Sequence, residues 1–201
     1  MTELEESPRW LPNDNPLLIF DWGEVFGNNH PVEVDLGAGD GSFAIGWVQQ
    51  HPEINLVAVE RLLGRARKIV KVSARLNLPN IRLLRLESSY FLQHMCPPES
   101  LNRIHIMFPD PWPKRRHHKN RLIQPEFIRI AYKTLVPGGE VRFSTDHQEY
   151  FDFACAQWHG ENGWENLGPW NASSDPKSDF QISFEAEGKP TYRNAWRKVS
   201  D

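Results

Sequence analysis

The sequence predicts an α/β protein built on a Rossmann-like, mostly parallel twisted sheet with helices on both faces. Three observations predict it. Short β-prone runs alternate with helical stretches of roughly ten to fifteen residues, the pattern of βαβ units. The first run ends in a glycine-rich turn, Asp35-Leu36-Gly37-Ala38-Gly39-Asp40-Gly41, that leads straight into a helix. Acids recur at or just after the ends of the runs, and in such sheets ligands sit beyond the carboxyl ends of the strands.

Taken in order, residues 1–16 are polar and proline-marked and read as a loose arm, and Leu17 to Phe26 reads as a short helix. PVEVDLGAGDG is the first strand with its turn, SFAIGWVQQ a helix, INLVAVE the second strand, and LLGRARKIVKVSARL a helix with cationic and apolar faces. IRLLRLE and LNRIHIMF give strands three and four. QPEFIRIAYKTL carries Phe127, Ile130, Ala131 and Leu135 at helical spacing; PGG ends that helix and EVRFST is strand five. HQEYFDFACAQWHG is a further helix. The remaining residues are rich in turns, with closing strands near WENL and TYRNAWRKV. The expected division is an arm and short helix over 1–30 and one α/β domain over 31–201.

With 201 residues, 39% of them hydrophobic and 24% charged, the chain suits one soluble globular domain. A formal charge of −3 argues against coating a polyanion with the whole surface, so any nucleic-acid contact must use a local patch. Cys96 and Cys155 lack CxxC or Cys/His spacing and read as reduced packing residues, with a disulfide or metal site the minor option. The start MTELEESPRW has no cationic or apolar leader segment, and no run approaches the roughly 20 apolar residues of a membrane span. A cytoplasmic location without membrane contact is therefore expected; the oligomeric state stays open between monomer and homodimer.

The glycine turn has the spacing G-x-G-x-G, and Ser42 stands where the dinucleotide fingerprint needs its third glycine. Asp35 and Asp40 would repel a pyrophosphate but attract a cation. S-adenosylmethionine carries a sulfonium and an α-ammonium and no phosphate, so it suits Asp35 and the turn formed by Gly37, Gly39 and Gly41. Glu60, at the end of strand two, is placed to accept hydrogen bonds from ribose hydroxyls, and Glu87, at the end of strand three, to border the adenine. The plainer alternative is a structural glycine turn with ordinary strand-end acids.

After strand four, Phe108-Pro109-Asp110-Pro111-Trp112-Pro113 forms a stiff aromatic wall with one carboxylate. A stiff loop loses little entropy on binding a flat base. An aspartate can accept from both N1–H and N2–H₂ of guanine, and aromatic faces add stacking of roughly 1–3 kcal/mol per base. The alternative is a proline-rich turn with Trp112 plugging the core.

The arrangement DLGAGDG … VE … FPDPWPKRRHHKNR … STD … GKPTYR resembles the bacterial tRNA (guanine-N7-)-methyltransferases over most of residues 31–198. The resemblance implies a class I methyltransferase fold, S-adenosylmethionine as donor, and tRNA guanine 46 in the variable loop as acceptor. It assigns donor-binding acids to Asp35, Glu60 and Glu87, and the catalytic and donor-site aspartate to Asp110. Substrate contacts fall on Lys114 and Asp146 and on the stretch Ser178-Asp179-Phe180-Gln181, which lies about ten residues before GKPTYR. Asp35 stands where the family usually has glutamate and Glu87 where it usually has aspartate. Serine at 178 replaces threonine, and Gln181 replaces a glutamate.

Lys114, Arg115, Arg116, Lys119 and Arg121 then place five fixed positive charges beside the candidate base pocket, where RNA phosphates would dock. Arg61, Arg65, Lys68, Lys71 and Arg75 form a second row that extends the RNA surface or, as the plainer reading has it, a solvated helix face. Guanine N7 has a lone pair and no proton, so the reaction needs alignment and electrostatics rather than a general base or a metal. Two alternatives are a methyltransferase of the same fold acting on another RNA or a small molecule, and an RNA-binding relative with reduced activity.

Overall fold

The computed structural model describes residues 4–15 and 17–199. Its order is α1 (Trp22–Phe26), β1 (Val32–Leu36), α2 (Ser42–Gln50), β2 (Asn55–Val59), α3 (Leu63–Arg75), β3 (Ile81–Leu84), α4 (Ser88–Tyr90), β4 (Leu101–Met107), α5 (Pro125–Thr134), β5 (Leu135–Thr145), α6 (Gln148–Trp158), β6 (Trp164–Gly168), α7 (Asp179–Ala186) and β7 (Tyr192–Lys198). A π-helical turn, Phe91–Met95, continues α4. The seven strands form one sheet in the order β3-β2-β1-β4-β5-β7-β6. β1 to β5 are parallel; β7 runs antiparallel to β5, and β6 antiparallel to β7.

Every residue of β1 and β2 is buried, as expected of strands covered on both faces. Two apolar clusters divide along the sheet. Val34, Leu36, Val57 and Ile104 pack with α1, α5 and α6, whereas Leu56, Ala58 and Ile81 pack with α2 and α3. The chain reverses direction across the sheet between β1 and β4, which opens a crevice beyond their carboxyl ends.

Four local expectations need revision. The helix read over Leu17 to Phe26 starts at Trp22, because the Asp21 carboxylate accepts the Glu24 amide (3.1 Å) and caps it; Leu17 and Ile19 are exposed. The arm is not loose where it meets β3: the Leu11 amide donates to Leu83 O and the Leu83 amide to Arg9 O, both at 2.7 Å. PGG does not end α5. Leu135 already pairs with Leu101, and Pro137-Gly138-Gly139 forms an irregularity inside β5 before Glu140 resumes the register opposite Arg103. Finally, β3 stops at Leu84, so Glu87 is not its last residue.

Candidate active site

The first wall of the crevice is the glycine turn. Gly37 N–H and Ala38 N–H both donate to Val59 O at 2.9 Å, folding the turn back onto β2. Gly41 has φ +87°, and a Cβ there would stand 2.6 Å from Ile69, so α3 can approach only a glycine. Beneath lies Asp35, 1% exposed, in register with Ala58 and His105. Burial, reinforced by the neighbouring charge of Glu60, raises its carboxyl to about 7. Glu60 is buried too. One of its oxygens accepts the Gly39 amide at 3.0 Å and the other the Leu62 amide at 2.7 Å. It therefore shapes the turn, and each oxygen retains a lone pair for a hydroxyl.

Glu87 is exposed and lies beyond β3, where it caps α4: its two oxygens accept the amides of Ser89 (3.0 Å) and Tyr90 (2.8 Å). Asp110 follows β4, exposed on the same rim between its two prolines. The loop that carries it is held in an unusual shape. Phe108 and Trp112 have φ values of +54° and +45°, and the Phe108 amide is tied to Ser144 O at 2.9 Å. Trp112 meets His117 edge-on, with centroids 5.8 Å apart, and is half-buried against the loop that follows rather than plugging the core.

Lys114, Arg115, Arg116 and Lys119 are exposed, the last three on a 3₁₀ turn, Arg115–Asn120. Arg121 is different, and the expectation that all five cations face RNA is corrected here. Its guanidinium is buried, donates to Pro111 O at 2.9 Å, forks onto the Glu149 carboxylate, and lies over the rings of Tyr150 and Phe153. It anchors the loop from below. Asp146, next after β5, is half-buried 4.0 Å from Lys189.

The opposite wall is α7, an element not anticipated from the sequence although Ser178-x-x-Gln181 has the form of a helix-start capping pattern. Ser178 Oγ accepts the Gln181 amide at 3.1 Å. Phe180 lies over the turn, its ring 3.7 Å from where a Cβ on Gly39 would stand. Gln181 is 8% exposed and donates to Glu185 at 2.7 Å. It lines a narrow cavity of about 10 Å³ with Met107 and Ser144 from the ends of β4 and β5, and with Arg193. That is room for about one water, so α7 packs closely over the ends of β4 and β5. The glycine turn, with Asp35 and Glu60 beneath it, and the stretch from Ser178 to Gln181 thus meet at Gly39 and Ser42, whereas Glu87 caps α4 and Asp110 and the exposed cations follow β4.

A buried cluster outside the crevice was also not anticipated. Glu33, on β1, holds Trp47 Nε1 (2.8 Å), Arg103 (2.8 Å) and His105 Nε2 (2.7 Å). Burial alone would raise its carboxyl, but the hydrogen bond and charge of His105, with the charge of Arg103, bring it down to about 2. Among the described residues no group of three His, Cys, Asp or Glu side chains is arranged to hold a metal ion, and no helix is long and apolar enough to cross a membrane.

Comparison with known proteins agrees with this architecture. Residues 29–197 match the family model described as "Putative methyltransferase". The chain is 34% identical to a tRNA (guanine-N(7)-)-methyltransferase of Geobacter metallireducens, over 97% of this chain and 95% of that protein. It is 31% identical to the enzyme of the same name from Listeria welshimeri, over 86% and 82% of the two chains. The crystal structure of the 16S rRNA methyltransferase KamB superposes with a TM-score of 0.62, covering 90% of this chain and 93% of that one at 16% identity, which establishes the fold. The chain belongs to the tRNA (guanine-N(7)-)-methyltransferase family, on a class I methyltransferase fold.

Proposed function

We propose that the chain transfers a methyl group from S-adenosylmethionine to N7 of guanine 46 in the variable loop of tRNA. The observation that carries this reading is the rim itself: a rigid Pro-Asp-Pro-Trp loop stands between a crevice with two buried acids and a turn of exposed cations. The donor's chemistry fits the crevice. Burial and the charge of Glu60 raise the cost of ionising Asp35, a cost that a cationic ligand relieves. Asp35, Glu60 and the turn of Gly37, Gly39 and Gly41 would hold the donor, with Glu87 at the adenine end. When bound, S-adenosylmethionine supplies an electrophilic methyl group on a sulfonium.

The chain's own residues supply alignment and charge. Asp110 holds the guanine by N1–H and N2–H₂ and offsets the positive charge that develops on the ring. Lys114, Arg115 and Arg116 dock phosphates, and Asp146, Ser178, Phe180 and Gln181 border the acceptor. The α7 helix, with Phe180 over Gly39, would shield that side of the crevice from water. Residues 31–201 make up the methyltransferase domain, which acts in the cytoplasm, and residues 1–30 an arm and short helix, of which Arg9 to Leu11 pair along the β3 edge.

Incubation with labelled S-adenosylmethionine and bulk tRNA, then chemical cleavage at 7-methylguanine, tests the reading. The expected product is label in tRNA with cleavage in the variable loop. Binding of tRNA without label would favour an RNA-binding role, and label elsewhere would assign another acceptor.

A further inference from the structure

Building on that reading, we propose that Lys68 and Arg65, both on α3, are positioning residues for methyl transfer: they fasten α7 over the glycine turn and so hold Ser178 and Gln181 against the donor's cradle. A continuous chain of contacts makes the fastening. Lys68 Nζ donates to Asp40 Oδ2 at 2.6 Å, and Asp40 Oδ1 accepts from Ser42 Oγ at 3.1 Å. The same hydroxyl accepts the backbone amide of Asp179, the first residue of α7, at 2.9 Å. One hydroxyl thus serves as donor to the glycine turn and acceptor from α7. Arg65 completes the contact from the side, its guanidinium 5.5 Å from the Phe180 ring centroid, while that ring covers Gly39.

The charge of Lys68 is needed because two carboxyls meet at this joint. The Asp40 carboxyl beside it, ahead of burial, holds the Asp179 carboxyl above its usual range. With both ionised they repel; the ammonium of Lys68 offsets the repulsion. Lys177 and Phe108 hold the rest of α7 through Glu185 and Phe184, so the fastening governs how the helix start sits rather than whether the helix forms. Because Phe180 faces the donor side and Gln181 the cavity at the ends of β4 and β5, a loosened start displaces both sides of the site together.

Hydrogen exchange of the α7 amides in ligand-free protein, combined with donor KM and kcat on the same variants, tests this. Lys68→Glu should speed exchange across α7 and raise donor KM, each by about fivefold or more, the scale of one exposed ion pair removed and replaced by repulsion. Lys68→Arg should restore both, and Arg65→Ala should act in the direction of Lys68→Glu. Unchanged exchange and donor KM in Lys68→Glu would overturn the proposal, even if tRNA affinity fell, since the row would then be only an RNA surface. So would a Lys68→Arg variant as impaired as Lys68→Glu. A parent protein that failed to bind donor in calorimetry would sink the proposed function and the positioning role with it. The exchange readout, taken without donor, tells that failure from a failure of the fastening.

Discussion

Donor affinity should depend steeply on pH through Asp35. Its carboxyl lies 1% exposed under the glycine turn and is raised to about 7 by burial and by Glu60. Below that value the ligand-free protein carries Asp35 protonated, and a cationic donor favours the ionised form, so binding expels a proton. The cost is RT ln(1 + 10^(7 − pH)). Apparent affinity should fall roughly fivefold from pH 7 to 6 and roughly ninefold more from pH 6 to 5. Calorimetry with S-adenosylmethionine in buffers of different ionisation enthalpy reads the proton directly: about 0.9 proton released per donor at pH 6. Asp35→Asn cannot ionise; it should bind as weakly as the acidified parent and release none. Flat affinity between pH 5.5 and 7 in the parent, or the same slope in Asp35→Asn, would refute the reasoning. Tight binding of NAD in place of S-adenosylmethionine would refute the assignment of the crevice.

Replacing Arg115, Arg116 and Lys119 with alanine should raise the tRNA KM and flatten its salt dependence by about one unit for each phosphate no longer neutralised, with donor affinity unchanged. Arg121→Ala should instead destabilise the loop, because that guanidinium is buried under Pro111 and paired with Glu149; thermal denaturation separates the two effects. Glu33, held at about 2 in the fold against an ordinary 4.5, contributes stability that is fully present above pH 4.5 and lost as pH falls towards 2. The loss is about 3 kcal/mol, and Glu33→Gln should forfeit a similar amount at neutral pH, as urea titrations at pH 7 and pH 3 would show.

The five parallel strands and the helices between them were legible because strands buried on both faces are rich in apolar β-formers, as in NLVAV, and in VEVDL despite its two acids. The glycine turn and the proline-rich loop were legible because only special backbone shapes use those residues. What escaped depends on contacts between distant segments. α7 has no strong apolar stripe; it is fastened by Ser42, Asp40 and Lys68, and locally only Ser178 and Gln181 signalled it. Arg121 looks like its cationic neighbours until the fold turns it under Pro111. β5 begins at Leu135 because Leu101 is there to pair with it, which PGG read locally could not reveal. Glu87 is an acid near a strand end whose nearest task is to cap a helix turn.

The proposed chemistry turns on the carboxylate of Asp110 acting at the reacting base. Single-turnover methylation of tRNA by Asp110→Asn, with donor and tRNA both saturating, tests this most directly. An amide carries no charge and cannot accept both guanine N–H bonds, so the chemical step should slow by roughly 10²–10³-fold. Donor affinity should fall much less than the rate, and the thermal midpoint should stay near the parent's, since Asp110 is exposed on the rim. A single-turnover rate within a few-fold of the parent would contradict the assignment and pass the role to Asp146, beside the end of β5.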